Sequence, residues 1–223
     1  MKIVVINSSP RGRASNTNVM VEAFLKGARR AGAEGVSIFL SEKEIKHCKG
    51  CHVCWTRGPG QCVTKDDMPG VLLQMAGANI IVFATPVYFG NASGMLKVFM
   101  DRMTMIGNPH SQRDAKDEKR ESGPQEGQAQ APKLMMIANC GFPDRSEFEV
   151  VSLWIRMVCR KMHMALAGEI YAAQGKLLAS PPEELRPAVE EYLLALENAG
   201  EEIAAGMKIS DATKKQLMQN FAV

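Results

Sequence analysis

Lys2-Ile3-Val4-Val5-Ile6-Asn7-Ser8-Ser9-Pro10-Arg11-Gly12-Arg13-Ala14-Ser15-Asn16-Thr17 is the stretch on which the reading of this chain turns. It begins as a short β-branched run, the pattern of a strand. The run opens into a turn rich in hydroxyls and small residues, and a helix-like segment follows at once. A strand, such a turn and a helix N-terminus together can hold a phosphate, because the free N–H groups and positive helix end point at the anion. No Gly-Lys-Ser/Thr closes the turn and no G-x-G-x-x-G is present, so neither the P-loop nor the dinucleotide fingerprint is matched. What remains suits one terminal phosphate, as on a mononucleotide. An ordinary capped βα turn, with Asn16 or Thr17 as the N-cap, explains the same residues.

A second segment has the same form. Asn79-Ile80-Ile81-Val82-Phe83-Ala84 reads as a fully buried parallel strand and runs into Thr85-Pro86-Val87-Tyr88-Phe89-Gly90-Asn91-Ala92-Ser93-Gly94, then into a helix from Met95 to Arg102. In a flavodoxin-like sheet of order 2-1-3-4-5 the first and third strands are neighbours, and ligands bind where chain direction reverses between them. One loop offers phosphate donors; the other offers aromatics and a glycine where backbone can approach a flat ring. On Ser9-Pro10-Arg11, Asn16-Thr17, Pro86-Val87-Tyr88-Phe89-Gly90, Lys97 and Asp101-Arg102, the chain resembles the flavodoxin-like NAD(P)H-dependent FMN reductases and their relatives, the iron–sulfur flavoproteins. The likeness is close over roughly the first 105 residues and rests on element order beyond them.

The resemblance implies an α/β fold with a three-layer, doubly wound, five-stranded parallel sheet. It implies bound FMN and a hydride taken from NADH or NADPH. Electrons then pass to a quinone, a flavin or another small acceptor, or to a redox protein partner in the manner of an electron carrier. Ser9, Arg11, Ser15, Asn16 and Thr17 would hold the phosphate. Pro86, Val87, Tyr88, Phe89 and Gly90 would line the isoalloxazine from one side. Cys140, Gly141 and Phe142 would lie beneath its pyrimidine end, an assignment that rests on their place after the fourth strand. A homodimer or homotetramer is also implied, with a neighbouring subunit completing the flavin site. The FMN-binding domain is expected over 1–206, with a cysteine-rich excursion at 46–65 and a polar loop at 107–132, and a C-terminal extension over 207–223.

The intervening chain alternates helix and strand, which favours parallel βαβ units. Thr17 to Ala31 places Val19, Met20, Ala23, Phe24, Gly27 and Ala28 on one helical stripe, ended by Gly32. Val36 to Leu40 makes the second strand, and Asp66 or Asp67 caps a helix around Val71-Met75. Lys133 to Ala138 and Gly168 to Ala172 read as the last two strands, with Phe148, Val151, Ile155, Val158 and Met162 on a helical face between them. The last long helix turns Leu185, Val189, Leu193, Leu196 and Ile203 inward, delayed by Pro187 and stopped by Gly206.

At 223 residues and 46% hydrophobic, the chain can build one sizeable core. No apolar run is long enough to cross a membrane. The first strand is interrupted too early for a secretory signal, so the cytoplasm is the expected location. A net charge of +3, without basic clusters interleaved with aromatics, speaks against nucleic acid as a partner. The polar loop has no apolar side chain larger than proline and cannot offset its own ordering entropy. No Ser/His/Asp or Cys/His spacing calls for nucleophilic catalysis, as expected where a cofactor carries the chemistry.

Four of the six cysteines fall in one C-x2-C-x2-C-x7-C pattern: Cys48, Cys51, Cys54 and Cys62. Two-residue spacers let a tight loop wrap thiolates around a metal–sulfide cube, as in bacterial ferredoxins. Structural zinc more often uses two separated knuckles, and disulfides are rare in a cytoplasmic chain. The resemblance leaves two forms open: a [4Fe–4S] cluster as in iron–sulfur flavoproteins, or free thiols shaping a loop. His47 and His52 flank these cysteines and read as solvent-facing. Trp55 either covers a flavin or quinone or packs beneath the loop. Asp101-Arg102 reads as a structural pair at its helix end, and Cys159 as core.

Overall fold

Alternate side chains of each strand go to opposite faces of the sheet, and this period of two divides the core. Ile3, Val5, Ile80, Val82, Met135 and Ile137 belong to one buried cluster, while Val4, Ile6, Ile81, Phe83, Leu134 and Met136 belong to another. Both faces being apolar, the strands read as continuous hydrophobic runs, as parallel strands covered on both sides do. The computed structural model describes residues 1–58, 60–106 and 131–221. The polar loop expected at 107–132 lies outside the described residues, apart from Ala131 and Pro132.

The strands are β1 (Lys2–Asn7), β2 (Glu34–Phe39), β3 (Ile80–Tyr88), β4 (Asn91–Ala92), β5 (Lys133–Asn139) and β6 (Leu166–Ala172). Their order is β2-β1-β3-β5-β6, with the short β4 paired to β3 alone. All pairs on the main path are parallel, and the β3–β4 pair is antiparallel. Counting only the parallel strands, this is the expected 2-1-3-4-5 order. The helices are α1 (Asn16–Arg30), α2 (Val53–Thr56), α3 (Met68–Met75), α4 (Gly94–Arg102), α5 (Glu149–Met162), α6 (Arg186–Gly206) and α7 (Asp211–Leu217). Residues of α1, α6 and α7 cover the first face, and residues of α3, α4 and α5 cover the second. Among the described residues no helix is long and apolar enough to cross a membrane.

Several local expectations change, and β2 and β6 each begin two residues earlier than expected, at Glu34 and Leu166. The N-cap of α1 is Ser15, whose side chain accepts from Asn18 N–H, and not Asn16 or Thr17. Strand β3 runs four residues past Ala84, because Val87 and Tyr88 pair with Ala92 and Asn91 in a hairpin. Gly206 is the last helical residue of α6, and Met207 takes the left-handed C-cap at φ 52°. After α6 the chain stays on the first face: Ile209, Leu217 and Phe221 are buried in its cluster, and Phe221 meets Tyr192 edge-on with centroids 5.0 Å apart.

Helix α1 owes its position to two glycines. A Cβ on Gly27 would stand 1.7 Å from the Glu197 carbonyl oxygen, and one on Gly200 would stand 1.9 Å from the Phe24 carbonyl oxygen. The two backbones therefore touch, as only small residues permit. Glu197 closes one side of this contact through Lys26 and Arg30, each at 2.7 Å. Gly200→Ala is expected to lower the unfolding free energy by about 1–3 kcal/mol through overpacking. Urea unfolding checks this, and a change within about 0.5 kcal/mol would mean the helices can part at little cost.

Candidate functional site

The C-terminal ends of β1 and β3 lie side by side, with Asn7 opposite Ala84. Buried hydroxyls tie the loops that leave them. The Ser8 amide and hydroxyl both donate to the Ala84 carbonyl, at 2.8 and 2.9 Å. Ser93 donates to the Ser8 carbonyl at 2.9 Å, and its own N–H donates to Thr85 Oγ1 at 2.9 Å. Its oxygen also caps α4 by accepting from Leu96 N–H. Sequence reasoning missed Ser8, Thr85 and Ser93; the available signal was hydroxyls at the ends of otherwise apolar strands.

On the first loop, Ser15 accepts from Asn18 N–H at 3.1 Å and donates its only proton to the Gly12 carbonyl at 2.6 Å. It therefore shapes the turn and has no proton left for a ligand. Thr17 Oγ1 accepts from Asn139 Nδ2 at 2.7 Å and keeps its proton. Asn7 Oδ1 accepts from Ser9 N–H at 3.1 Å, and Asn18 Nδ2 donates to the Arg13 carbonyl at 3.1 Å. Arg13 is engaged by Glu42 at 3.1 Å and by the Phe39 ring. Among the described residues, the Ser9 hydroxyl, the exposed Arg11 guanidinium and the Asn16 amide have no hydrogen-bond partner in the structure. The first-turn N–H groups of Asn16 and Thr17 have no intrahelical acceptor, as at any helix start. These donors gather at one positive helix end, a site suited to an anion.

On the second loop, Phe89 (φ 54°) and Gly90 (φ 71°) form a two-residue turn with both φ positive. Glycine suits this conformation; phenylalanine does not. Phe89 is nevertheless there, fully exposed, beside a half-exposed Tyr88. Pro86 and Val87 are buried, so their side chains are not free to meet a ligand. Cys140 is buried as well, its thiol donating to the Phe142 carbonyl at 3.2 Å, and burial pushes that thiol up. Gly141 and the Phe142 ring are exposed, on a loop pinned by Gly175 N–H to the Cys140 carbonyl at 2.7 Å and Gln174 N–H to the Phe142 carbonyl at 2.9 Å.

The cysteine-rich excursion has a polar neck. Glu44 N–H donates to Asp67 at 2.8 Å, Asp67 N–H to the Glu44 carbonyl at 3.0 Å, and Lys46 N–H to Asp66 at 2.9 Å. Arg102 closes the neck. Its Nη1 donates to the Lys46 carbonyl at 2.9 Å and to Asp66 Oδ2, and its Nη2 to Asp66 Oδ1 at 3.2 Å. Arg102 is thus not paired with its neighbour Asp101, which binds Lys97 at 2.7 Å. Burial pushes the Asp66 carboxyl up, but Arg102 and the N–H groups of Lys46 and Met68 outweigh it and hold the carboxyl below its ordinary range. Sequence reasoning missed this pair, because nothing local joins the two positions.

Cys48, Cys51, Cys54 and Cys62 all line one cavity of about 290 Å³, with His52, Trp55 and Arg102 also in its wall. Peptide N–H groups point at two of the sulfurs: Gly50 to Cys48 at 3.5 Å and Thr64 to Cys62 at 3.4 Å. Burial, then the neighbouring Cys62, pushes the Cys54 thiol up. At Cys62 burial acts the same way, but hydrogen bonds from Thr64 and the charge of Arg102 outweigh it and bring the thiol down. Among the described residues, no three His, Cys, Asp or Glu side chains converge closely enough for a single metal ion. Trp55 meets His52 at a tilt of 39° with centroids 4.5 Å apart and donates to the Thr104 carbonyl at 2.7 Å, which ties the excursion to the segment after α4. His47 is exposed and Cys159 is core.

Residues 1–175 match the family model described as NADPH-dependent FMN reductase. An iron-sulfur flavoprotein of Archaeoglobus fulgidus is 42% identical over 110 residues, covering 48% of this chain and 52% of the relative. The chain spans about half the length of the curated relatives it matches. Two solved structures share the fold at a TM-score of 0.60: an NAD(P)H:quinone oxidoreductase from Methanothermobacter marburgensis and an FMN-dependent NADH-azoreductase from Bacillus anthracis in complex with FMN. The first is 14% identical and covers 91% of this chain and 96% of its own; the second is 20% identical and covers 92% and 100%.

The depressed Asp66 carboxyl sets a pH dependence. A group whose folded pKa lies below its unfolded value, about 3.9 for Asp, stabilises fully above that value and loses its contribution as pH falls through the folded pKa. The midpoint of urea unfolding should therefore fall more steeply in wild type than in Asp66→Asn as pH is lowered below about 4. Parallel curves would mean Asp66 titrates normally.

Proposed function

Because this chain belongs to the NADPH-dependent FMN reductase family, we propose that it is an FMN-dependent oxidoreductase taking hydride from NADH or NADPH and passing electrons to a quinone, a flavin or another small acceptor. The carrying observation is the crevice between the β1 and β3 loops, with unspent donors at one side and an exposed aromatic hairpin tip at the other. When bound, FMN supplies the redox chemistry, and the chain's own residues bind and orient it. The Ser9 hydroxyl, the Arg11 guanidinium, the Asn16 amide, the Thr17 hydroxyl and the first N–H groups of α1 hold the phosphate. Ser15 belongs to the same loop and sets the helix start. Tyr88, Phe89 and Gly90 flank the ring, with Pro86 and Val87 contributing backbone, and the Cys140-Gly141-Phe142 loop borders its other end. No side chain is assigned as acid or base. The same reading takes the protein as a homodimer or homotetramer of the cytoplasm, and residues 1–206 as the flavin-binding domain.

A second reading, an iron–sulfur flavoprotein carrying electrons between protein partners, is favoured by the four-thiol cavity. The four thiols are spread around a cavity of about 290 Å³, and among the described residues no three metal-ligating side chains converge on one point as a single zinc ion requires. Cys48, Cys51, Cys54 and Cys62 would supply the corners of a [4Fe–4S] cluster, which would add one-electron chemistry. Both cofactors can reside in one chain, since the two loops of the crevice and the cysteine excursion are separate segments.

The visible spectrum of anaerobically purified protein, with flavin and iron assays, tests both cofactors. Turnover of NADH or NADPH with a quinone supports the reductase, and no turnover with either nucleotide favours the carrier. Asn16→Asp should weaken FMN binding by nearly three orders of magnitude. Two like charges about 4 Å apart cost on the order of 4 kcal/mol at an effective dielectric near 20. Near-normal affinity in that variant would place the phosphate elsewhere. Cys51→Ser or Cys54→Ser should lose iron and sulfide together while retaining flavin. Wild-type protein that holds flavin but no iron after reconstitution would remove the cluster.

A further inference from the structure

Among the described residues Arg102 is the largest fully buried side chain, 1% exposed, and it lines the four-thiol cavity. Its partner Asp66 is equally buried but is not part of the cavity wall, so the carboxylate lies behind the guanidinium as seen from the sulfurs. Nη1 and Nη2 are spent on Asp66 and the Lys46 carbonyl, whereas Nε is buried without a hydrogen-bond partner. The other charged or titratable groups on the wall besides the thiols are Lys49, His52 and Asp101; the first two are exposed, and Asp101 is already paired with Lys97. The cavity thus meets one fixed, solvent-excluded positive charge, from Arg102.

We propose that Arg102 is a positioning residue that sets the redox potential of the four-cysteine centre: its buried guanidinium faces that centre and favours the form carrying one more electron. This rests on the iron–sulfur reading above. One-electron reduction adds one negative charge, forms and breaks no bond and moves no proton. A cation nearby, poorly screened because water is excluded, stabilises the added charge. Net charge around a cluster and hydrogen bonds to its sulfurs are among the factors that set its potential.

The test compares midpoint potentials of reconstituted holoprotein by EPR, with electrons supplied by dithionite through mediators. Three proteins are needed: wild type, Asp66→Asn, and the double variant Arg102→Gln with Asp66→Asn. Asp66→Asn removes the compensating negative charge and should raise the potential. The double variant removes the facing positive charge, keeps a hydrogen-bonding pair, and should lower the potential below wild type. A rise of about 59 mV, a tenfold change in the one-electron equilibrium constant, is expected for Asp66→Asn, and a smaller fall for the double variant, whose net charge equals that of wild type and which loses only the orientation of the pair. Opposite signs are what a loosened loop would not produce. Unchanged potentials, or shifts of the same sign, would overturn the proposal. If only the single variant loses its cluster, the double variant decides. Loss of iron from both would make Arg102 a clamp only and also overturn it. Wild type without iron after reconstitution would instead remove the iron–sulfur reading, and this proposal with it.

Discussion

Strand β1 pairs in parallel with β2 on one side and β3 on the other, and the crevice follows from that constraint. Parallel neighbours cannot be joined by a tight turn, so each connection must cross over a face of the sheet. The connection after β1 carries α1 over one face, while the helices on either side of β3, α3 and α4, pack on the opposite face. The segments leaving β1 and β3 therefore turn toward opposite faces of the sheet, the arrangement at which open α/β sheets place their ligand crevice. Each hydroxyl bond across it is worth only about 0.5–1.5 kcal/mol net. Their effect is positional: Ser8, Thr85 and Ser93 hold the two loops in one register, so that the start of α1 and the Phe89-Gly90 hairpin frame the same space.

The cysteine excursion is held differently. Helix α2 has no buried residues, so the segment cannot rely on a core of its own. Polar bonds at its neck replace one, with the Asp66–Arg102 pair at the centre. Removing one partner of such a buried pair typically costs about 3–5 kcal/mol, because the other charge is left uncompensated. The exposed Lys97–Asp101 pair, one helical turn long, belongs to the class worth about 0–1 kcal/mol. Two adjacent residues, Asp101 and Arg102, thus carry opposite energetic weight because one faces solvent and the other the interior.

Phe89 is a local conflict of another kind. Every other residue of the hairpin suits its position, yet a bulky ring occupies a left-handed backbone site and is left in solvent. Strain of this type persists where the surroundings over-determine it and is concentrated at functional sites.

Much was legible in the sequence because it is local. The β-branched runs at Lys2–Ile6 and Asn79–Ala84 specify strands, the spacing of Met20, Phe24, Gly27 and Ala28 specifies a helical face, and the alternation of the two specifies a parallel sheet. The four-cysteine spacing likewise marks one loop without help from the fold. Other features depend on partners far along the chain. Ser15 rather than Asn16 caps α1 because the Gly12 carbonyl and Asn18 N–H reach its hydroxyl in the folded turn. Gly27 and Gly200 are glycines because two helices meet there. Arg102 pairs with Asp66, 36 residues away, and not with the residue beside it. Sequence by itself determined which segments form strands, helices and the thiol loop, since short-range sterics and side-chain period decide those. Only the tertiary structure decided which donors stay free at the crevice and which charge faces the thiols, because burial and hydrogen-bond competition arise only once distant segments are packed together.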